Sequence, residues 1–374
     1  MSTSDQIRRN PIFNDNKFKL GTFATNTIGS VQSSAPDAYR PSWESSLRFA
    51  QIADRAGFEA ILGLARWRTP AKTPNTHRGN FVLDSFTWSA ALAMATQHVA
   101  LFATSHAPTV HPVAIAKQCA TIDHVSGGRF GLNVVGGWNR PEFDMFGIQL
   151  LEHDARYDYL TEWMNVILKL WGATEEFDFQ GSFLKLKGAL SMPQPAQKPR
   201  PPIMNAAMSG RGRRFACEYA DCCFVSTEVS KTDLVDYKKI AREEFGREIG
   251  IWMQIPLVQG KTRQDAKDRL NYIAVEHEDR AAVDGWSKGV AAETRTVSNE
   301  AANLERLVHA MGGRPVVGSA VDIADELEKL SEKGVDGVLF SWFDFDEGMN
   351  RFIGDVMPLL EQRGLRQPFQ PTSR

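Results

Sequence analysis

The 374-residue chain is poor in the features that would assign it quickly. It has four cysteines, Cys119, Cys217, Cys222 and Cys223. None forms a C-x-x-C pair, and the adjacent pair is poorly spaced for a structural zinc. The thiols therefore read as buried and inert, in a reducing compartment. No apolar run reaches the roughly 18 residues that span a bilayer. Lys and Arg number 43 against 45 Asp and Glu, a net charge of −2. That balance gives no electrostatic case for nucleic acid or an anionic membrane. Gly-x-Ser-x-Gly, His-Glu-x-x-His and Walker sequences are missing. So are internal repeats and low-complexity tracts. Met1 to Lys17 is polar and lacks the apolar core of a secretory signal, so a cytoplasmic protein with a loosely ordered leader is expected.

What is present is an ordinary globular mix, 43% hydrophobic and 24% charged, in a chain long enough to bury a large core. Eight short β-branched or aromatic runs alternate with amphipathic stretches: Lys19–Ala24, Ala60–Leu64, Val99–Ala103, Arg129–Val135, Pro202–Ala206, Cys222–Ser226, Ile251–Leu257 and Gly337–Ser341. Eight such units predict an α/β fold, a (β/α)8 TIM barrel. One barrel domain is expected over 18–364, followed by a tail over 365–374. The pattern predicts a helix from Trp43 to Ala56 stopped by Gly57, one started by Pro112, and one opened by a Ser319-x-x-Asp322 capping box and ended at Gly334. Four segments exceed what a barrel needs: 66–81, 139–154, 174–194 and 285–318. Phe177–Gln180 and Phe183–Lys187 alternate as a small hairpin would.

In a parallel barrel, ligands bind at the C-terminal ends of the strands. Arg66, Thr104-Ser105-His106, Asn133 and Ser209-Gly210-Arg211-Gly212 fall there. Asn133 is an amide inside the apolar strand Phe130–Val135, so it either faces something polar or satisfies a neighbouring loop. Ser209 and Gly210 open a helix and suit an anion, or form a simple capped loop. His106 is a candidate pocket donor or base. No carboxylate completes a ligand set around His106 and His111, so no metal is expected. His124 reads as a helix C-terminal charge. Glu142 and Arg156 suit an ion pair that organises a long loop. Trp67, Phe81, Trp138 and Phe343 are candidate walls over a flat ring, with core packing as the alternative.

Thr121–Trp138 reads as a helix end, a Gly-Gly turn, a buried strand and a second Gly-Gly turn. It resembles the fourth-strand signature of the bacterial-luciferase-like flavin monooxygenases. Further matching pieces are Gly57–Leu62, Asp84–Trp88, Leu101–Thr104, Ala120–His124, Glu142, Arg156–Leu160 and Gly334–Leu339. Together they run from about Phe18 to Gly364. They resemble most the group of pyrimidine, dimethylsulfone and alkanesulfonate monooxygenases. The resemblance implies flavin contacts at Ala65, Arg66, Asn133, Glu142, Arg156, Tyr157 and Ser209, with Gly210 beside the phosphate. It places Thr104 and Asn133 beside the oxygen pocket. Two departures stand out. Arg66 replaces a lysine, keeping the charge with a different hydrogen-bond geometry. Asn205–Met208 replaces a glycine-containing stretch before Ser209.

The function so implied is a two-component monooxygenase. A separate NAD(P)H:flavin reductase supplies reduced FMN, O2 is activated as a flavin (hydro)peroxide, and a small heterocycle, sulfone or sulfonate is oxygenated. A homodimer or homotetramer is expected. Two rivals stand beside this: a deazaflavin-dependent oxidoreductase of the same superfamily, and a non-catalytic flavin-binding protein. Segment 285–318 reads as a lid, hinged at Gly312-Gly313, or as a dimer contact.

Overall fold

The computed structural model describes residues 10–69, 77–206, 210–225, 227, 229–285, 307 and 309–371. Its strands are β1 Lys19–Phe23, β2 Ala60–Gly63, β3 Ala100–His106, β4 Phe130–Val135, β5 Phe177–Gln180, β6 Lys185–Ala189, β7 Ile203–Asn205, β8 Cys222–Val225, β9 Gly250–Gln259, β10 Val316–Gly318 and β11 Gly337–Trp342. Eight pair in parallel in the order β1-β2-β3-β4-β7-β8-β9-β11, and β11 pairs back onto β1. The closed barrel is the expected (β/α)8 architecture, and its strands overlie the eight expected runs. β5 and β6 form the expected antiparallel hairpin. β10 was not foreseen; it adds in parallel to the far end of β9, at Leu257–Gln259.

Side-chain alternation sorts the core into two layers. Ala60, Leu62, Ala100, Phe102, Met204, Cys222, Trp252 and Leu339 fill the barrel interior. Their neighbours in sequence, including Ile61, Leu101, Leu132, Ile203, Cys223, Ile251 and Val338, pack outward under the helices. Gly131 is required inside: a Cβ there would sit 2.3 Å from the Phe102 ring. The helices obey their local signals. Ser42 and Ser45 form a capping box on Trp43–Arg55, and Gly57 follows at φ 75°. Pro112 starts Pro112–Val125. Ser319 and Asp322 cap Ala320–Lys333, which ends at Gly334 with φ 111°. All four thiols are buried and free. No helix among the described residues is long and apolar enough to cross a membrane.

The structure shortens the expected leader and tail. Residues 1–9 lie outside the described residues, but Asn10–Lys17 closes the barrel floor. Ile12 inserts among the interior side chains. Asn10 donates to Phe130 O at 3.4 Å and to Gln197 Oε1 at 3.1 Å. Asn14 and Asn16 donate to Glu59 Oε1 at 2.9 and 2.5 Å. Glu59 Oε2 takes the Leu20 amide at 2.7 Å and the Arg366 guanidinium at 3.0 Å. From the tail, Leu365 is buried and Phe369 packs on His98, with ring centroids 4.4 Å apart. These polar residues are ordered because distant partners satisfy them, which local composition does not reveal.

Candidate active site

At the opposite end the interior becomes polar. Continuing the alternation, Thr104 and His106 of β3, Asn133 of β4, Gln254 of β9 and Ser341 of β11 point inward near the strand ends. Barrel register sets Thr104 opposite Asn133. Asn133 Nδ2 donates to Thr104 Oγ1 at 3.0 Å, and Thr104 Oγ1 donates to Gly63 O at 2.6 Å. One chain of hydrogen bonds thus links β4, β3 and β2. Asn133 Oδ1 is buried with no hydrogen-bond partner, and so is Ser341 Oγ. Unpaired buried polar atoms are costly, so each of these two calls for an explanation. Asn133 thus bonds to the neighbouring strand rather than to a loop.

Beside this pair, Glu142 sits buried in the short helix Arg140–Met145. Its Oε1 accepts the amides of Trp67 and Arg68 at 3.0 and 3.3 Å, which pins the loop after β2. Its Oε2 lies 3.5 Å from His106 Nδ1. Burial raises the Glu142 pKa, against those amides and Arg66. Burial lowers Arg66 to about 10, with Glu142 opposing. Burial, reinforced by Arg66, lowers His106 to about 4. The imidazole is therefore neutral at pH 7 and its approach to Glu142 is not an ion pair. A neutral ring keeps one donor and one acceptor nitrogen, which suits it to a polar ligand.

The remaining expected contacts lie on two neighbouring helices. Arg156, in His153–Gly172, donates to Gly137 O at 2.6 Å, bracing the turn after β4. Tyr157 packs 6.0 Å from Phe215 of Gly210–Tyr219, and Arg211 pairs with Asp158. These contacts bring Gly210 and the N-terminal end of its helix toward Tyr157. Ala65 is buried directly after β2. Ser209 lies outside the described residues, as do residues 286–306 and 308 of the proposed lid. Gly312 and Gly313, the suggested hinge, carry φ of 71° and 159°.

The aromatic candidates separate. Trp67 is 37% exposed and stands edge-on to His106 and to Phe146, at 5.5 and 5.0 Å. Phe343 instead belongs to a separate cluster with Val31 and Val258, under Arg269. His111 caps Pro112–Val125 through Nδ1, and His124 bonds Gln194 O at 2.9 Å. Sequence reading missed Gln254 and Ser341. The signal for both was the inward parity of their strands, which is readable only once the barrel register is known.

The family model for luciferase-like monooxygenases matches residues 18–337. The pyrimidine monooxygenase RutA of Escherichia coli O44:H18 (strain 042 / EAEC) is 30% identical over 360 residues, 92% of this chain and 97% of that protein. Two solved structures share the fold at 23% identity and a TM-score of 0.82. One is the riboflavin lyase RcaE, with 95% of this chain and 94% of that chain covered. The other is the long-chain alkane monooxygenase LadA, with 96% and 94% covered. The chain belongs to the luciferase-like monooxygenase family, a family of flavin-dependent oxygenases.

Proposed function

We propose that the chain is a two-component monooxygenase that uses reduced FMN delivered by a separate NAD(P)H:flavin reductase. The reading rests on the inward Thr104–Asn133 pair, whose free Asn133 Oδ1 faces the mouth of the barrel. A flavin ring edge offers the complementary donor, so the residues present fit the group. Ala65, Arg66, Glu142, Arg156, Tyr157, Ser209 and Gly210 would hold the cofactor. When bound, reduced FMN supplies the electrons that activate O2.

The protein's own residues position and insulate. Thr104 is fixed by Gly63 and holds Asn133 in one rotamer, so the amide oxygen needs no reorganisation to accept a hydrogen bond. Glu142 clamps the Trp67–Arg68 backbone and so fixes Arg66 beside the site. His106 presents a neutral ring that can donate to or accept from the substrate. Trp67 and Phe146 cover that edge with apolar surface and limit water entry.

The test is oxygen-dependent turnover of small organic substrates with FMN, NADH and a generic flavin reductase. Product formation that requires the reductase and FMN supports the reading. Turnover with a reduced deazaflavin but not with reduced FMN overturns it.

A further inference from the structure

A cavity of about 530 Å3 opens where β9 and β11 leave the barrel. In the strand order these two stand across the barrel from β3 and β4, so the cavity is separate from the Thr104–Asn133 pair. The helices Arg263–Asn271 and Phe345–Arg351 flank it. Its floor is apolar, with Leu257, Ile273, Trp342 and Phe343 all buried. Two polar atoms interrupt that floor. Gln259 Oε1 and Trp342 Nε1 are buried and have no hydrogen-bond partner, and their residues are 8% and 2% exposed. Both side chains lie on the outer face of the barrel. Alternation puts Trp252 and Leu339 inside and Leu257 and Trp342 outside. Gln259 shares the parity of Leu257, which pairs in register with Trp342.

We infer that this cavity is a second ligand site and takes a neutral two-ring aromatic alcohol, its hydroxyl set between Gln259 and Trp342. The inference does not rest on the oxygenase reading above. The amide oxygen only accepts and the indole N–H only donates, and a hydroxyl does both through one oxygen. Size sets the ring number. An apolar cavity of about 150 Å3 accepts one benzene ring, so this one has room for two fused rings. Charge sets the class. The carboxylates of Asp37, Asp265, Asp344 and Glu347 outnumber the cations Lys261, Arg269 and Arg351. An anion would therefore lose its hydration without a net countercharge. A cation gains little either, because each carboxylate is already met. Arg269 holds Asp37 at 2.9 Å, and Arg351 pairs with Glu347. Asp265 accepts the Thr262 amide at 2.9 Å, and Asp344 accepts the Asp346 amide at 3.0 Å.

Both recognition groups are held before a ligand arrives. Gln259 Nε2 donates to Asp355 Oδ2 at 2.9 Å, which fixes the amide and leaves Oε1 for the ligand. The Gln259 carbonyl accepts Arg351 Nη1 at 2.9 Å. Gly348 lets its helix lie against the indole, since a Cβ there would sit 2.2 Å from Trp342 Cδ1, the atom next to Nε1. A fixed donor and acceptor keep the ordering cost of recognition low.

The experiment titrates the full chain by calorimetry with 2-naphthol, quinoline and 2-naphthoate. Quinoline accepts a hydrogen bond but cannot donate one, and 2-naphthoate adds a negative charge. We expect 2-naphthol to bind at least tenfold more tightly than either other probe. Gln259→Met and Trp342→Phe should each weaken 2-naphthol about fivefold, the value of one net hydrogen bond. FMN affinity, followed by quenching of flavin fluorescence, should stay unchanged in both. Asn133→Ala should leave 2-naphthol affinity unchanged. The selectivity among the three probes is read on the unaltered chain, so it stands even where a variant fails to fold. No binding of 2-naphthol, equal binding of quinoline, or a preference for 2-naphthoate overturns the inference. So does unchanged 2-naphthol affinity in Gln259→Met, or a loss in Asn133→Ala, which would move the ligand to the barrel mouth.

Discussion

The two ends of this barrel treat their central buried polar groups differently, although Arg366 Nε and His98 Nε2 at the floor are also without a hydrogen-bond partner. At the floor, both oxygens of Glu59 are filled, by Asn14, Asn16, Leu20 and Arg366. At the mouth, Asn133 Oδ1, Ser341 Oγ, Ser105 Oγ and His106 Nδ1 have no hydrogen-bond partner. The same strands carry both ends, so the contrast is not one of fold. A satisfied buried network contributes rigidity and a single packing arrangement. An unsatisfied one costs stability until a ligand completes it. The paired Glu59 carboxylate serves the fold, whereas the unpaired groups at the mouth are ones that a ligand could complete.

Substitutions at each end can break that contrast. The largest stability effect should come from Arg366→Met. The Arg366–Glu59 pair is almost fully buried, with side chains 1% and 0% exposed. Removing one partner of such a pair costs about 3–5 kcal/mol. Denaturant unfolding should show that loss, with turnover per folded molecule unchanged. A large drop in turnover at full occupancy of the fold would erase the distinction between the ends.

At the mouth the balance between stability and turnover should reverse. Asn133→Ala and Thr104→Ala should each lower oxygenation roughly 100-fold with saturating reduced flavin, by loss of a preorganised polar group. Unfolding free energy should fall by no more than about 1–2 kcal/mol, the worth of the hydrogen bonds removed. Near-wild-type turnover in both would take the pair out of the mechanism.

A smaller effect is expected at the phosphate end of the cofactor. Ser209→Asp should weaken FMN by about 1–3 kcal/mol through like-charge repulsion. Riboflavin, which lacks the phosphate, should be much less affected. Equal weakening of the two would place the phosphate elsewhere.

The smallest shift sharpens the electrostatic side. His106 should titrate near pH 4 by NMR, and Arg66→Gln should raise that value while leaving it below 6.5. Its folded pKa is depressed, so the unfolded chain binds the proton first as pH falls. Stability from this group is therefore present above about pH 6.5 and is lost between there and about pH 4. A His106 midpoint at or above 6.5 would show a solvated ring and remove the neutral-donor role.

Much of this was legible in order along the chain. All eight barrel strands showed as apolar runs because each is buried on both faces. Pro112, Gly57, Gly334 and the Ser319–Asp322 box placed their helix ends through local backbone chemistry. β10 was missed because three residues, Val316–Gly318, carry no period of their own and pair only where β9 runs long. The floor was misread because Asn10, Asn14 and Asn16 look like a polar leader until Glu59, Phe130 and Gln197 are brought beneath them.

The sequence by itself determined the barrel, its strand ends, and the candidate polar residues Arg66, Thr104, His106 and Asn133, while Glu142 and Arg156 came from the family resemblance. The barrel, its strand ends and those first four residues follow from side-chain period and local backbone preference, which act over a few residues. Only the tertiary structure decided that Thr104 and Asn133 share one hydrogen bond, that Glu142 grips the loop after β2, and that Gln259 and Trp342 line one cavity. Those depend on strand register and on burial, and both are set by residues tens to hundreds of positions away.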